Sequence, residues 1–413
     1  MAITIREISG KRGLKKFARF NIDLYKNNPY AVPQLIFDEV GTLSKDKNPA
    51  FDYCESVYYM AYDNTKPVGR IAGIINHQVN EKTGKKTARF GFVDFIDSKE
   101  VSKALFDAVE KWALSKGMNE LNGPLGFTDM DPEGLLIEGF DQMGTMATIY
   151  NYPYYIKHIT ELGFEKDVDW VEFKIFVPER IPEKHQRIAN IVKTKYKLEI
   201  VKYNSATKIV KDYGQKIFEL INNAYANLYG YSILNQRQID YYIKMYLPMV
   251  RLENVTLIIN EKKELIGVGI AIPSMTKAMQ KAKGKLFPFG FIHLLKALRG
   301  KNDVVDLLLV AIRPDYQNTG ANALLFSDLI PVFIKNGYKY AESNPELEEN
   351  GKVQSQWQYF ENIQHKRRRA YLKKYQLYIY FLRLILLLLM EIPVMLMLLF
   401  LYPCFIPLLL LIF

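Results

Sequence analysis

The chain has 413 residues, 49% hydrophobic and 24% charged, which excludes bulk disorder and fits two domains of ordinary size. A net charge of +11 and a pI near 9.2 point to anionic partners: phosphorylated cofactors, nucleic acid or an anionic membrane surface. Cys54 and Cys404 lie too far apart in sequence to suggest a disulfide framework and fit a reducing cytosol; the five histidines, none paired at metal-ligand spacing, predict no metal.

The opening "MAITIREISGKRGLKKF" lacks the apolar stretch of a secretory signal. Residues 3–8 alternate as a strand, and "KRGLKKFARFNIDLYKN" has the spacing of a basic amphipathic helix. "VYYMAYD" (57–63) and "VGRIAGIINH" (68–77) read as two strands joined by a short turn, followed by a strand over 88–96. A helix spans Val101 to Trp112 and stops at Gly117; "NELNGPL" is a strand and loop, and a further helix starts near "PYYIKHITELG". The second half repeats the order. "KLEIVKYN" is a strand, 206–228 a helix, and "VTLIINEKKELIGVGIAIPS" a strand–turn–strand. "DVVDLLLVAI" is a strand, 320–336 a helix, "YKYAES" a strand and 354–364 a helix. The two long helices end alike, at "SKGM" and "KNGY", so an internal duplication is the simplest account. The seam falls near 177–190, where prolines and charges interrupt both periodicities. The expected organisation is α/β with mixed sheets: residues 1–178, a linker at 179–194, residues 195–375, and a hydrophobic tail at 376–413.

"RPDYQNTGANALL" (313–325) carries the first chemical signal. It joins an apolar strand to a helix, has no acid between Asp315 and Asp328, and offers no ordinary helix cap. Free N–H groups at the positive end of a helix dipole bind anions, and Gly320 allows close backbone approach. At the same place in the first half, "FIDSKEVSKAL", Asp97 can cap the helix with Glu100 completing a capping box. One repeat is open to a phosphate and the other is plugged.

Strand, Gln-x-x-Gly turn and helix, with a hairpin before and a strand–helix after, resemble the GNAT acyltransferase superfamily in tandem form. The resemblance implies that backbone N–H groups of Gln317, Asn318, Thr319, Gly320, Ala321, Asn322 and Ala323 hold the pyrophosphate of acyl-CoA. Gln317 and Gly320 match the signature, and Asn322 departs from the Gly or Ala expected there. The resemblance also implies that "LLLVAI" splays from its neighbour and offers backbone groups around Val310 to Ile312 to the pantetheine arm.

Three further stretches narrow the reading. The loop 123–164 is rich in Gly, Pro, Tyr and acids and is long for a connection. The segment 276–301 carries seven Lys or Arg, no acid, and "LFPFGFIHLLKAL", the composition of an interfacial membrane segment; its Leu and Ile favour lipid over nucleic acid. "AESNPELEENGKVQSQWQYF" (341–360) loads a strand end with carboxylates. Together they resemble tandem-GNAT proteins associated with bacterial sphingolipid synthesis, a group that includes a bacterial ceramide synthase. The resemblance implies a long-chain acyl-CoA donor and an amine-bearing lipid acceptor.

Amide formation from a thioester needs a base for the ammonium and a proton for the leaving thiolate. Glu346 and Glu348 are candidate bases, with Asp129 and Glu138 as rivals. A tyrosine acid near the last helix, as in relatives, points to Tyr359, with Tyr154 and Tyr155 as first-half counterparts. Val394 to Phe413 is an uncharged run of bilayer length, and the basic "HKRRRAYLKK" before it would stay cytoplasmic, so the tail reads as an anchor or an altered-frame translation. The competing functions are a small-molecule N-acetyltransferase, a tRNA-dependent aminoacyl transferase and a non-catalytic acyl-CoA-binding protein.

Overall fold

The first half is laid down as a meander. β1 (Ile3–Glu7), β2 (Cys54–Asp63), β3 (Lys66–Asn76) and β4 (Thr87–Phe95) pair antiparallel in sequence order. Asn64, at φ 56°, makes the β2–β3 turn in the left-handed region that Asn tolerates best after Gly. Helices α1 (Gly10–Leu24), α2 (Ile36–Thr42) and α3 (His77–Thr83) fill the connections. α4 (Lys99–Ser115) then crosses the sheet, so β5 (Glu120–Gly123) runs parallel to β4. β6 (Leu135–Glu138), α5 (Tyr154–Glu161) and β7 (Glu165–Phe176) complete the half.

The second half follows the same order. α6 (Glu183–Lys195) precedes β8 (Glu199–Val201); α7 (Ala206–Ile209) passes through a π-helical turn into α8 (Gln215–Tyr225), and α9 (Gln236–Tyr246) follows. β9 (Val255–Ile259) and β10 (Leu265–Pro273) lead into the inserted α10 (Thr276–Ala282) and α11 (Gly290–Arg299). β11 (Val304–Ile312), α12 (Asn322–Lys335) and β12 (Tyr340–Glu342) form the second parallel unit. β13 (Glu346–Leu347), α13 (Gly351–Gln354) and β14 (Asn362–Lys374) close the fold. α12 shows why the core holds: Leu325, Leu329 and Phe333, four residues apart, are buried on one stripe, each contributing about 1.5–3 kcal/mol.

One mixed sheet joins the halves in the order β1-β2-β3-β4-β5-β14-β7-β12-β11-β10-β9-β8, with β6 on β14 and β13 on β7. The exchange is reciprocal: β14 of the second half lies beside β5 of the first, and β7 of the first lies beside β12 of the second. Residues 1–373 accordingly form one compact unit. The computed structural model describes residues 3–375, so the expected tail anchor lies outside the described residues; among the described residues no helix is long and apolar enough to cross a membrane.

Three expectations differ from the structure. The 179–194 segment is mostly the helix α6, which starts just after Pro182 and buries Ala189 and Val192 against α12; prolines placed before a first turn start a helix rather than interrupt one. The helix expected over 354–364 is a short turn, with β14 starting at Asn362. The basic run 365–369, expected to flank a membrane, is the middle of that strand. Lys366 there bonds Glu172 at 2.8 Å and Glu342 at 2.6 Å, and Arg368 bonds Glu172 at 2.5 Å, all buried.

Candidate active site between the two halves

Both parallel strand pairs splay. β4 and β5 stay paired only through Arg89↔Asn122, and β11 and β12 only through Asp306↔Glu342. Beyond those points each leaves a V with unpaired backbone, and the two V's are not equivalent. In the first, the chain after β5 folds back across β4: Leu125 N–H donates to the Phe90 carbonyl at 2.8 Å, and a Cβ on Gly91 would sit 2.2 Å from the Leu125 carbonyl oxygen. Backbone thus seals the first V at its apex. In the second, only side chains cover the strand. Asn344 Nδ2 donates to the Leu308 carbonyl at 2.6 Å, and Tyr225 Oη to the Val310 carbonyl at 2.7 Å. Side chains can give way to a ligand; a crossing backbone cannot.

The two helix starts differ in the same sense. α4 is capped by Ser98, whose hydroxyl accepts from Val101 N–H at 3.4 Å. Ser98, not the expected Asp97, makes this cap, because Asp97 is held by His158 Nε2 at 2.8 Å. α12 has no side-chain cap. Gly320 stands before it at φ 84°, and a Cβ there would meet Val192 and Ile188 of α6 at 3.3 and 3.4 Å. Gln317 and Asn318 are exposed, whereas Ala321 and Ala323 are buried against α6. Gln317 Nε2 ties back to the Ile312 carbonyl at 3.2 Å, Thr319 Oγ1 to Tyr316 at 2.7 Å, and Asn322 Nδ2 to Gln356 at 3.4 Å. The substitution at Asn322 therefore anchors the helix start to the segment after α13.

The six acid–base candidates do not gather at one site, although Glu348 and Glu138 share Arg367. Glu348 is tied to Lys166 at 2.9 Å and to Arg367, which hold its carboxyl below the ordinary value, and Glu138 pairs with Arg367 at 3.4 Å. Glu346 accepts the Trp357 indole N–H at 3.0 and 3.1 Å; burial lifts its carboxyl to about 8, so it is protonated at neutral pH. Tyr359 packs its ring on His185 and under the Lys184 ammonium. Tyr154 donates to the Phe95 carbonyl at 2.5 Å, and burial raises its phenol. Its neighbour Tyr155 is wholly buried, bonded to Tyr25 and Phe95 N–H.

Asp129 differs from the rest. Burial lifts its carboxyl to about 7, with Arg89 drawing it back down, and Oδ1 has no hydrogen-bond partner. Its charge raises the pKa of Tyr225, the residue bonded to Val310 on the open V. The long first-half loop thus carries a titratable acid whose charge is felt by Tyr225, where burial is the larger cause of the phenol's raised pKa. Sequence reasoning missed Tyr225 and also Asp306, whose carboxyl, buried at the V apex, is lifted to about 7 by burial and by Glu342. A single acid in the apolar run "VVDLLLVAI" was the available signal.

A cavity of about 920 Å³ opens beside this site. Phe92, Val93 and Pro124 of the first V line it, Leu308 of β11 reaches it from the second, and α9, α10 and α11 contribute Met245, Met279 and Leu294. The insertion at 276–301 is therefore one wall of the cavity. Gln280 fastens it by donating to the carbonyls of Pro29 (2.8 Å) and Ala31 (3.0 Å), while Phe287 and Phe289 on its outer side are 71% and 68% exposed.

Two sheets fused by strand exchange, each with a splayed parallel pair, make this a tandem GNAT fold. No protein-family profile matches the chain. A tandem GNAT protein from the clavulanic acid biosynthesis pathway superposes with a TM-score of 0.53 at 10% identity, covering 90% of this chain and 98% of that one. In sequence the chain is similar to protein YghO of Escherichia coli, 27% identical over 323 residues (76% of this chain, 79% of the relative). It is also similar to the bacterial ceramide synthase of Caulobacter vibrioides, 25% identical over 320 residues (76% of this chain, 81% of the relative).

Proposed function

We propose that this chain is an acyl-CoA-dependent N-acyltransferase that joins a long acyl group to the amine of a single-chain, sphingoid-like lipid. The observation that carries the reading is the cavity reaching Leu308 on the open V: its 920 Å³ lies near the top of the roughly 300–1,000 Å³ range of ligand pockets, and its walls are largely apolar. The ceramide synthase relative supports the lipid acceptor. The donor's pyrophosphate is assigned to the uncapped turn at 317–323, and its pantetheine arm to the β11 edge, displacing Tyr225 and Asn344 from the Val310 and Leu308 carbonyls.

Asp129 takes a proton from the ammonium, and the freed amine attacks the thioester carbonyl. The C–N bond forms, the C–S bond breaks, and a backbone N–H of β11 holds the oxyanion. Of the two protons the ammonium loses, one leaves through Asp129 and the other ends on the CoA thiol, relayed by Tyr225. The exposed Phe287 and Phe289, amid the lysines of 276–301, suit an anionic membrane surface from which both substrates could be drawn.

CoA release measured with acetyl-CoA and palmitoyl-CoA, each with and without sphinganine, tests the reading. Release is expected only with the long donor and the amine together, and is expected to be lost in Gly320→Glu, which puts a carboxylate where the phosphate belongs. Release from acetyl-CoA with a small amine, unaffected by chain length, would replace the lipid reading.

A further inference from the structure

The cavity contains more carboxylate than its walls neutralise. Arg70 is satisfied twice, by Asp94 at 2.6 Å and by Glu39, so those three groups form a closed set. Asp38 and Asp131 remain. Both line the cavity, and among the described residues neither has an ion-pair partner. Burial raises both carboxyls, Asp131 to about 6, where the Thr128 and Phe127 N–H groups and Arg89 oppose the rise and Asp38 adds to it. The charge of Arg89 acts on Asp131, yet its guanidinium is committed to the carbonyls of Gly126, Phe127 and Gly230. Two carboxylates that line one cavity without an ion-pair partner among the described residues are unfavourable when both are ionised in the empty protein, and an ammonium entering the cavity relieves that.

α9 turns aromatic rings to the same wall. Tyr241, Tyr242 and Tyr246 line the cavity; Tyr242 packs on both of the others with centroids 5.5 and 6.1 Å away, and the charge of Asp131 acts on all three. Carboxylates and aromatic faces together recognise ammonium groups. Beyond them the lining turns to methionine and aliphatic carbon, and Lys26 and Lys283 stand exposed.

We propose that the first V, sealed against a pantetheine arm, binds a single-chain cationic amphiphile: its ammonium between Asp38, Asp131 and the α9 tyrosines, its chain along Met275, Met279 and Leu294. This rests on the acyltransferase reading and locates the acceptor in the half that lacks the donor loop. Asp131 lies next but one in sequence to Asp129, the proposed base. Asp131 Oδ2 also accepts Phe127 and Thr128 N–H at 2.9 and 3.2 Å, which fixes the loop bearing both acids.

The test is calorimetric titration of the full chain without CoA, using dodecyltrimethylammonium, which cannot be acylated, against dodecanol, which has a similar chain and no charge. The ammonium is expected to bind at least tenfold more tightly, about 1.4 kcal/mol. Asp38→Asn and Asp131→Asn should each erase most of that preference; Asn keeps an oxygen for the Phe127 and Thr128 bonds, so the loop can hold its shape. Met279→Trp, which fills the chain channel, should weaken both ligands alike. Equal affinity for the two ligands in the native chain would overturn the proposal and make the cavity a neutral-chain site. So would an ammonium preference that survives in the double Asn variant. Palmitoyl-CoA titrated in parallel separates the two readings: failure to bind it while the ammonium binds would sink the acyltransferase and leave this site standing.

Discussion

Replacing Asp129 by Asn should make the protein both more stable and nearly inactive, and the two effects should share one pH window. Burial holds the Asp129 carboxyl at about 7 against an ordinary 3.8, so ionising it in place is costly. At 1.36 kcal/mol per tenfold change in proton affinity the full difference is about 4 kcal/mol, and partial solvent access reduces this to about 2–4 kcal/mol. The folded value is the raised one, so the native acid contributes its stability fully below pH 3.8 and loses it as pH rises through about 7. An amide at this position carries no such dependence. Denaturant titrations at pH 4 and pH 8 should therefore agree for the two proteins at the low value and favour the variant at the high one. For catalysis the sign reverses. The native rate should climb with pH through about 7, as the base is uncovered, while Asp129→Asn should lower it by roughly 10²–10⁴-fold and remove that limb. A variant that is less stable at pH 8, or that keeps a limb near 7, would refute the assignment of Asp129 as base.

Lys366→Met leaves Glu172 with Arg368 alone and weakens the hold on Glu342, so unfolding free energy should fall by about 3–5 kcal/mol, read as a shift in denaturant midpoint. Glu346→Gln should change the rate at pH 7 less than tenfold, because that carboxyl is already protonated there and holds Trp357; a hundredfold loss would return the base to Glu346. Glu348→Gln should cost about 0.2–1 kcal/mol of stability and leave the rate constant, since Lys166 and Arg367 bind it at the surface. Phe287→Ser with Phe289→Ser should reduce co-sedimentation with anionic vesicles and spare turnover of a detergent-solubilised acceptor; loss of both would make these side chains part of the cavity wall rather than a docking edge.

Much of this architecture was legible because hydrophobic periodicity reports elements that bury one face against a sheet. β2, β3, β4 and α4, and β9, β10, β11 and α12 in the second half, appeared within a few residues of their bounds, whereas α10 and α11 of the insertion did not. What escaped was the joint. β7 and β14 carry Asp169, Glu172, Lys366 and Arg368 on buried positions, where a pattern of apolar residues alone reads solvated ones. Their charges are buried because each is compensated by the other strand, a relation between residues far apart in the chain that no local window contains. Glu172 shows the balance: burial alone would push its carboxyl up, yet Arg368 and Lys366 bring it to about 2. The site divided in the same way. The uncapped turn at Gly320 could be found from one stretch of chain, whereas Asp129 acquires its meaning only from Tyr225, and Tyr225 only from Val310.

The exchange of β7 and β14 also ties the two splayed strand pairs into one body. Had each half completed its own sheet, the two V's would belong to separate bodies. Because each half borrows its partner's strand, β5, β14, β7 and β12 form one continuous stretch, and Glu172 and Lys366 fasten its centre. The loop leaving β5 then has only one way out, over the second half, where Met130 packs among the side chains of α8 and α9. That route brings Thr128 Oγ1 within 3.2 Å of Tyr242 Oη on α9. The segment that closes the first V at Phe90 thus continues directly into the loop bearing Asp129 and Asp131. Closure of the first V and the acidic, largely apolar cavity beside it both follow from the path of the chain after β5.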